Sequence, residues 1–120
     1  MHELSVAQSI IELIQRHVPE TEWDRVAAVR LKIGAIAGIV PESLEFSFQA
    51  ITAASTLSHA HLEIESIPSR IHCNTCNTTM DNEMGFAICM TCGSSDTEIL
   101  SGSELDLVDI EIAEPDEEQL

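Results

Sequence analysis

Two Cys-x-x-Cys pairs, Cys73 with Cys76 and Cys89 with Cys92, constrain this chain more than any other feature. Each pair presents two sulfurs from one tight turn, and the 12 residues between the pairs allow a short hairpin that brings both turns to a single ion. Closed sites with four cysteine ligands are typical of structural Zn²⁺, although iron also accepts four sulfurs. We therefore predict a structural zinc site formed by these four cysteines, with iron as the alternative metal.

The rest of the sequence favours thiol ligands over disulfides. No apolar run approaches the ~20 residues that a membrane-spanning helix needs, and the first residues lack the basic and continuous apolar segments of a signal peptide. We expect a cytoplasmic protein with no membrane contact. Cysteines in that reducing compartment serve as metal ligands more often than they form disulfides.

The charge of the chain excludes one class of function. Its 21 acidic and 5 basic residues give a formal net charge of −16. Nucleic-acid affinity depends on Lys and Arg side chains that neutralise phosphates, so such an acidic chain is repelled by DNA and RNA. The charge instead suits cations or a basic partner protein.

Hydrophobic periodicity predicts two helices. The first covers residues 3–18, and the second covers residues 41–54, where Pro41 and Glu42 form a favourable start. The predicted apolar stripe of the first helix is Leu4, Ala7, Ile11, Ile14 and Val18. The second helix carries two opposite stripes, so we expect both its faces to be covered: Leu44, Phe48 and Ile51 on one side, Phe46, Ala50 and Ala53 on the other.

Alternating apolar residues predict three strands, at 25–33, 59–67 and 104–112, with a change of phase within the last. The predicted fold is α+β: a three-stranded sheet packed with two helices, with a four-cysteine zinc-ribbon module inserted before the last strand. The predicted α+β domain is discontinuous (1–69 and 98–113) and the zinc ribbon covers 70–97. The acidic residues 114–120 are expected to be disordered.

The N-terminus offers a second metal site. The Met1 amine, the His2 backbone amide and the His2 imidazole can form consecutive chelate rings around one ion, with Glu3 beside them. Nitrogen-rich, near-square-planar ligation suits Ni(II) or Cu(II). A Met-His start alone also fits an unliganded terminus.

Several segments together resemble a known family. They are MHELSVAQSI, VRLKIGAIAGIVPESLEF, LEIESIP, the two cysteine pairs and SGSELDLVDIEI, and they span nearly the whole chain in order and spacing. In these segments the chain is similar to the nickel metallochaperones of NiFe-hydrogenase maturation, the HypA/HybF family.

The resemblance implies a carrier with two metals rather than an enzyme. Zinc would be structural, at the four cysteines. Nickel would be transient cargo, held by the Met1 amine, by His2 through its backbone and imidazole, and by the backbone or side chain of Glu3, so the α+β domain would be the nickel-binding domain. The implied partners are a nickel-handling GTPase and, directly or through it, the hydrogenase large subunit; some members also supply urease. A monomer and a homodimer both remain open.

Two positions depart from the pattern of some family members. Only His72 flanks a cysteine pair here, and Glu42 is the nearest carboxylate for an additional nickel contact. Their ordinary roles would be an exposed histidine and a helix N-terminal charge. The alternative function is a zinc-ribbon adaptor for protein interactions that has no nickel role.

Overall fold

The computed structural model describes residues 2–82 and 86–115. These residues form two α-helices, α1 (Glu3–His17) and α2 (Pro41–Thr52), and a short 3₁₀ helix at Glu20–Arg25. They also form six strands: β1 (Val26–Gly34), β2 (His61–Ile67), β3 (Arg70–Cys73), β4 (Thr78–Asp81), β5 (Thr97–Ser101) and β6 (Leu105–Ile112). One sheet has the order β2-β1-β6 and the other β4-β3-β5. The predicted α+β class is confirmed.

The chain divides into two compact units. The first contains Met1–Leu31, Ile39–Ile64 and Leu107–Leu120, and the second contains Lys32–Gly38 and Glu65–Asp106. The domain bounds taken from the sequence stay a prediction. Residues 116–120 of the predicted acidic tail lie outside the described residues. Within the described ranges, no helix is long and apolar enough to cross a membrane.

Helix α1 packs against α2, but its buried face differs in part from the predicted stripe. The buried residues within the helix are Val6, Ala7, Ile10 and Ile14, whereas Leu4 is 51% exposed. Ile10 and Ile11 both fit helical spacing with Ala7 and Ile14. Periodicity alone could not choose between them, and packing in the folded unit selects Ile10.

Helix α2 buries one of its two apolar stripes only in part, because Ile51, predicted to be covered with Leu44 and Phe48, is 36% exposed. Leu44 and Phe48 are fully buried, and the hydroxyl of the buried Thr52 donates to the Phe48 carbonyl at 2.9 Å. The opposite stripe, expected to meet another element, is exposed, and Phe46 retains 75% of its accessible surface. That part of the prediction was wrong because helical periodicity shows that a face is apolar but cannot show what covers it.

Strand β1 is the central strand of its sheet and has the predicted alternation. Val29, Leu31 and Ile33 are buried, while Arg30 and Lys32 lie on the other face. In β6 the half-buried residues are Leu107, Ile110 and Ile112, so the inward-facing set changes phase between residues 107 and 110, as expected. Leu105 and Val108, which the sequence included in the apolar pattern, are exposed.

Arg30 gathers three carboxylates on the outer face of this sheet. Its guanidinium donates to Glu63 of β2 at 3.1 Å, to Asp109 of β6 at 2.8 Å and to Glu111 of β6. Hydrogen bonds to Asp109 and then to Glu111 raise the pKa of Arg30 further above its ordinary value. One cation on β1 thereby offsets the mutual repulsion of acidic side chains on the two strands that flank β1.

Replacing Arg30 tests this arrangement. Arg30→Met keeps an apolar stem but leaves the three carboxylates without their shared partner, so the urea midpoint of unfolding should fall, and by less at high ionic strength because salt screens the repulsion. Lys32→Met, which removes a neighbouring cation of the same strand, is the matched control and should change the midpoint less. Equal effects of the two variants at every salt concentration would contradict the special role of Arg30.

Gly34 ends β1 where two backbone segments approach closely. A Cβ at this position would lie 1.9 Å from the carbonyl oxygen of Gly102, which belongs to the backbone and cannot rotate away. Gly38 differs, because it has a φ of +78° and an added Cβ would meet no atom within 4 Å. The sequence therefore places glycine at these two positions for different reasons.

The two glycines allow a paired stability test. We expect Gly34→Ala to lower the free energy of unfolding by about 3 kcal/mol or more through backbone displacement. Gly38→Ala should cost only about 1 kcal/mol, since an L-residue has a conformational cost at positive φ without a clash. Urea titrations with zinc present would measure both. A loss for Gly34→Ala no larger than that for Gly38→Ala would show that the close approach is not rigid.

Candidate metal centres

Two turns bring the four cysteines together. Cys73 ends β3 and Cys76 lies in the turn to β4, while Cys89 and Cys92 lie in the segment before β5. The four sulfurs all lie within 4.8 Å of one another. The Cys73–Cys92 and Cys76–Cys89 sulfur pairs are each 3.6 Å apart. A tetrahedral zinc with Zn–S bonds of ~2.3 Å separates its sulfurs by about 3.8 Å, so this donor set and spacing fit zinc.

The three-stranded ribbon sheet holds the first of these turns. Strand β3 is central and pairs antiparallel with β4 and with β5, so that Cys73 lies opposite Thr78 on one side and Thr97 on the other. Asn77 closes the turn with a φ of 57°, a conformation that asparagine tolerates better than most residues. The last residue of β3 and the short connection to β4 thus provide the two cysteines of the first pair.

Backbone amides point at the sulfurs in both turns. The Cys76 amide donates to the Cys73 sulfur at 3.5 Å. The Cys89 sulfur accepts from the amides of Thr91 at 3.3 Å and Cys92 at 3.4 Å. Gly93, directly after the second pair, has a positive φ of +76°, and its amide donates to the Cys89 carbonyl at 2.9 Å. The amides that point at sulfur favour the thiolate form, which is the form that binds metal.

The sulfur pKa values reflect this geometry. The Cys92 amide, followed by that of Thr91, lowers the pKa of Cys89 to about 6 in spite of burial. The Cys76 amide likewise lowers the pKa of Cys73. For Cys92 the Ser94 amide acts to lower the pKa, but burial and the three neighbouring sulfurs together raise that pKa to about 12. Four thiolates this close repel one another, and a divalent cation neutralises that repulsion.

Polar side chains join the two turns, which the sequence did not lead us to expect. The Thr75 and Ser94 hydroxyls lie 2.8 Å apart, and the Asn74 amide donates to Asp96 at 3.2 Å. The only signal in the sequence was the concentration of Asn, Thr, Ser and Asp beside the cysteines. The imidazole of His72 makes a polar contact of its own, because its Nδ1 lies 2.9 Å from the Thr79 hydroxyl on β4.

The predicted nickel ligands begin outside the described residues, because Met1 is not among them. His2 is the exposed N-cap residue of α1, and its carbonyl accepts from the Val6 amide at 3.1 Å. The Glu3 carboxylate accepts from the Val40 amide at 3.3 Å, and Val40 is the N-cap residue of α2. Glu42 is exposed in the first turn of α2.

The head of α1 leaves nitrogen donors available. The first four amides of a helix have no intrahelical acceptor, so a metal could take the His2 and Glu3 amides without breaking a helical hydrogen bond. Within residues 2–82 and 86–115, however, the four cysteines are the only cluster of three or more potential side-chain ligands. A nickel site at the terminus would therefore depend mainly on backbone nitrogen, the α-amine and one imidazole.

Removing one sulfur tests the zinc centre. Cys73→Ser replaces a buried thiolate with a poor zinc ligand, so we expect the purified protein to lose its zinc on dialysis and the ribbon sheet to become sensitive to proteolysis. Met90→Ser, at an exposed non-ligand position of the second turn, should keep both zinc and resistance. Elemental analysis measures the zinc content of each variant and distinguishes zinc from iron. A wild-type zinc content in Cys73→Ser would contradict the assignment.

Comparisons with known proteins identify relatives of this architecture. Residues 1–112 match the family described as hydrogenase/urease nickel incorporation, metallochaperone, HypA. The hydrogenase maturation factor HypA of Azotobacter chroococcum is 36% identical over 112 residues, covering 93% of this chain and 99% of that protein. Its counterpart in Chloroflexus aggregans is 40% identical over 113 residues, covering 92% and 98%.

A solved structure agrees in fold. The solution structure of the Ni metallochaperone HypA from Helicobacter pylori has a TM-score of 0.62 and 24% identity, and the match covers 94% of this chain and 98% of that one. At this identity the similarity establishes the shared fold alone. Because the family match extends over residues 1–112 of the 120, this chain belongs to the HypA family of hydrogenase/urease nickel-incorporation metallochaperones.

Proposed function

We propose that this protein binds Ni(II) at its N-terminus and delivers it for the maturation of NiFe-hydrogenase, and for urease where an organism has one. The ligands are the Met1 amine, the backbone amide and imidazole of His2, and the Glu3 backbone or side chain. The observation that carries the proposal is the position of His2: an exposed residue at the head of α1, within a chain of the nickel-incorporation family.

Between the two alternatives for Glu3, the geometry favours the backbone. The Glu3 carboxylate is already engaged by the Val40 amide at 3.3 Å. Its amide nitrogen, in contrast, has no intrahelical acceptor. With the α-amine, the His2 amide and the imidazole, this fourth nitrogen would complete the near-square-planar set that suits Ni(II).

An exposed terminal site also suits transfer. Incoming ligands from an acceptor protein can reach a metal at the head of a helix and displace the resident nitrogens one at a time. The four-sulfur cluster is a closed tetrahedral donor set, and such sites hold structural zinc. Zinc in the ribbon, residues 70–97, therefore maintains structure. Nickel is bound and released by the domain formed by residues 1–69 and 98–113.

The chain acts as a carrier in the cytoplasm and has no catalytic role of its own. Its partners are the nickel-handling GTPase of hydrogenase maturation and, directly or through it, the hydrogenase large subunit. The net charge of −16 supports a protein partner with a basic surface and argues against nucleic acid.

Nickel binding by N-terminal variants tests the proposal. We expect His2→Ala, or one extra residue ahead of Met1, to abolish nickel binding by calorimetry because each destroys consecutive chelation, while zinc content stays at the wild-type level. His17→Ala is the matched control, since His17 is exposed at the other end of α1. Wild-type nickel affinity in His2→Ala would refute the N-terminal site, and zinc as the only bound metal would favour the adaptor function.

A further inference from the structure

The outward face of α2 carries apolar residues that remain exposed. Phe46, Ala50 and Ala53 follow one another at spacings of four and three, so they lie on one side of the helix and its C-cap. All three are exposed, and they lie opposite the buried Leu44 and Phe48. We call Phe46, Ala50 and Ala53 the outer stripe.

Phe46 is the unusual member of this stripe. The chain has only three phenylalanines, and Phe48, two residues away, is fully buried while Phe46 is 75% exposed. Burying a phenylalanine side chain contributes ~1.5–3 kcal/mol, a gain that the fold forgoes at this position. Aromatic side chains are enriched among the residues that dominate protein interfaces, so Phe46 is the kind of residue that anchors a binding site.

Charge restricts what can cover the stripe. Glu42 and Glu45 flank it on the same helix, and residues 33–69 contain no Lys or Arg at all. Two copies of the chain meeting at this face would bring these carboxylates together and join two chains that each carry a net charge of −16. Such like-charge contact disfavours self-association, whereas Lys or Arg at the rim of a partner would complement it.

The stripe lies near the proposed nickel ligands. The Val40 amide, at the N-cap of α2, is 3.3 Å from the Glu3 carboxylate. Phe46 is six residues further along, a distance of about 9 Å on the helix axis. A protein seated on the first turns of α2 would therefore reach the head of α1, where His2 is exposed.

We propose that the outer stripe of α2 docks a partner protein that offers an apolar groove rimmed by Lys and Arg, and that it brings this partner to the N-terminal nickel site. The inference rests on the proposed function, because the partner on this face is the protein that receives nickel. Phe46 is the anchor of the contact, and Glu45 steers the basic rim during association.

The test uses the purified nickel-handling GTPase of hydrogenase maturation from the same organism and the full-length, zinc-loaded chain. Phe46→Ser should raise the Kd by at least about tenfold, in keeping with the loss of a central aromatic anchor. Phe86→Ser is the matched control, since Phe86 is 61% exposed in the other unit, and it should leave the Kd unchanged. Glu45→Lys should slow association, with a smaller salt dependence than wild type.

Three results would overturn the docking proposal. They are equal binding by Phe46→Ser and wild type, equal weakening in the Phe86→Ser control, and no binding of the GTPase by the wild type. Self-association of the wild type that Phe46→Ser abolishes in sedimentation would assign the stripe to a second copy, and would overturn it as well.

Nickel calorimetry separates this proposal from the function on which it rests. Phe46→Ser should bind nickel like wild type, because Phe46 is not a ligand, and His2→Ala should still bind the GTPase. If Phe46→Ser binds the GTPase like wild type and the wild type binds nickel, only the docking proposal is rejected. Absence of nickel binding in the wild type rejects the proposed function, whatever the GTPase does.

Discussion

The convergence of four cysteine sulfurs is the interaction on which the ribbon unit depends. The strands β3, β4 and β5 have only four, four and five residues. Ile71 and Cys73 are buried in this unit, but several of its other apolar side chains are exposed. Sheets this small are marginal without reinforcement. Amide donors in both turns favour the thiolate forms of the cysteines. The thiolates repel one another, and a bound divalent cation would neutralise this repulsion and stabilise the unit.

The other unit is organised around a different constraint, the shortage of positive charge. With 5 basic residues against 21 acidic ones in the sequence, cationic partners for carboxylates are few, and Arg30 forms ion pairs with three carboxylates at once. The same shortage leaves residues 33–69, which include α2, without Lys or Arg. A negative surface attracts cations and basic proteins and repels phosphate backbones, which agrees with metal handling rather than nucleic-acid binding.

Local signals predicted the local features. Cysteine spacing indicated which four sulfurs converge, and alternation indicated the buried residues of β1. Tertiary packing decided the rest. Ile10 is buried in place of Ile11, Phe46 is exposed although its stripe is apolar, and the Glu3–Val40 contact joins residues 37 positions apart. None of these follows from periodicity, because each depends on which surface lies opposite. The polar links between the cysteine turns, such as Thr75 with Ser94, were missed for the same reason.

The central claim is that nickel binds at the N-terminus of α1 and does not bind to the four cysteine sulfurs. Ni(II) in a near-square-planar nitrogen field is diamagnetic, so a titration of the zinc-loaded protein followed by ¹H–¹⁵N NMR locates the metal directly. The predicted result is loss or displacement of the Glu3 amide signal and shifts in its neighbours and the His2 imidazole, with Cys73, Cys76, Cys89 and Cys92 unchanged. Shifts centred on the cysteine turns, with residues 2–5 unaffected, would contradict the claim.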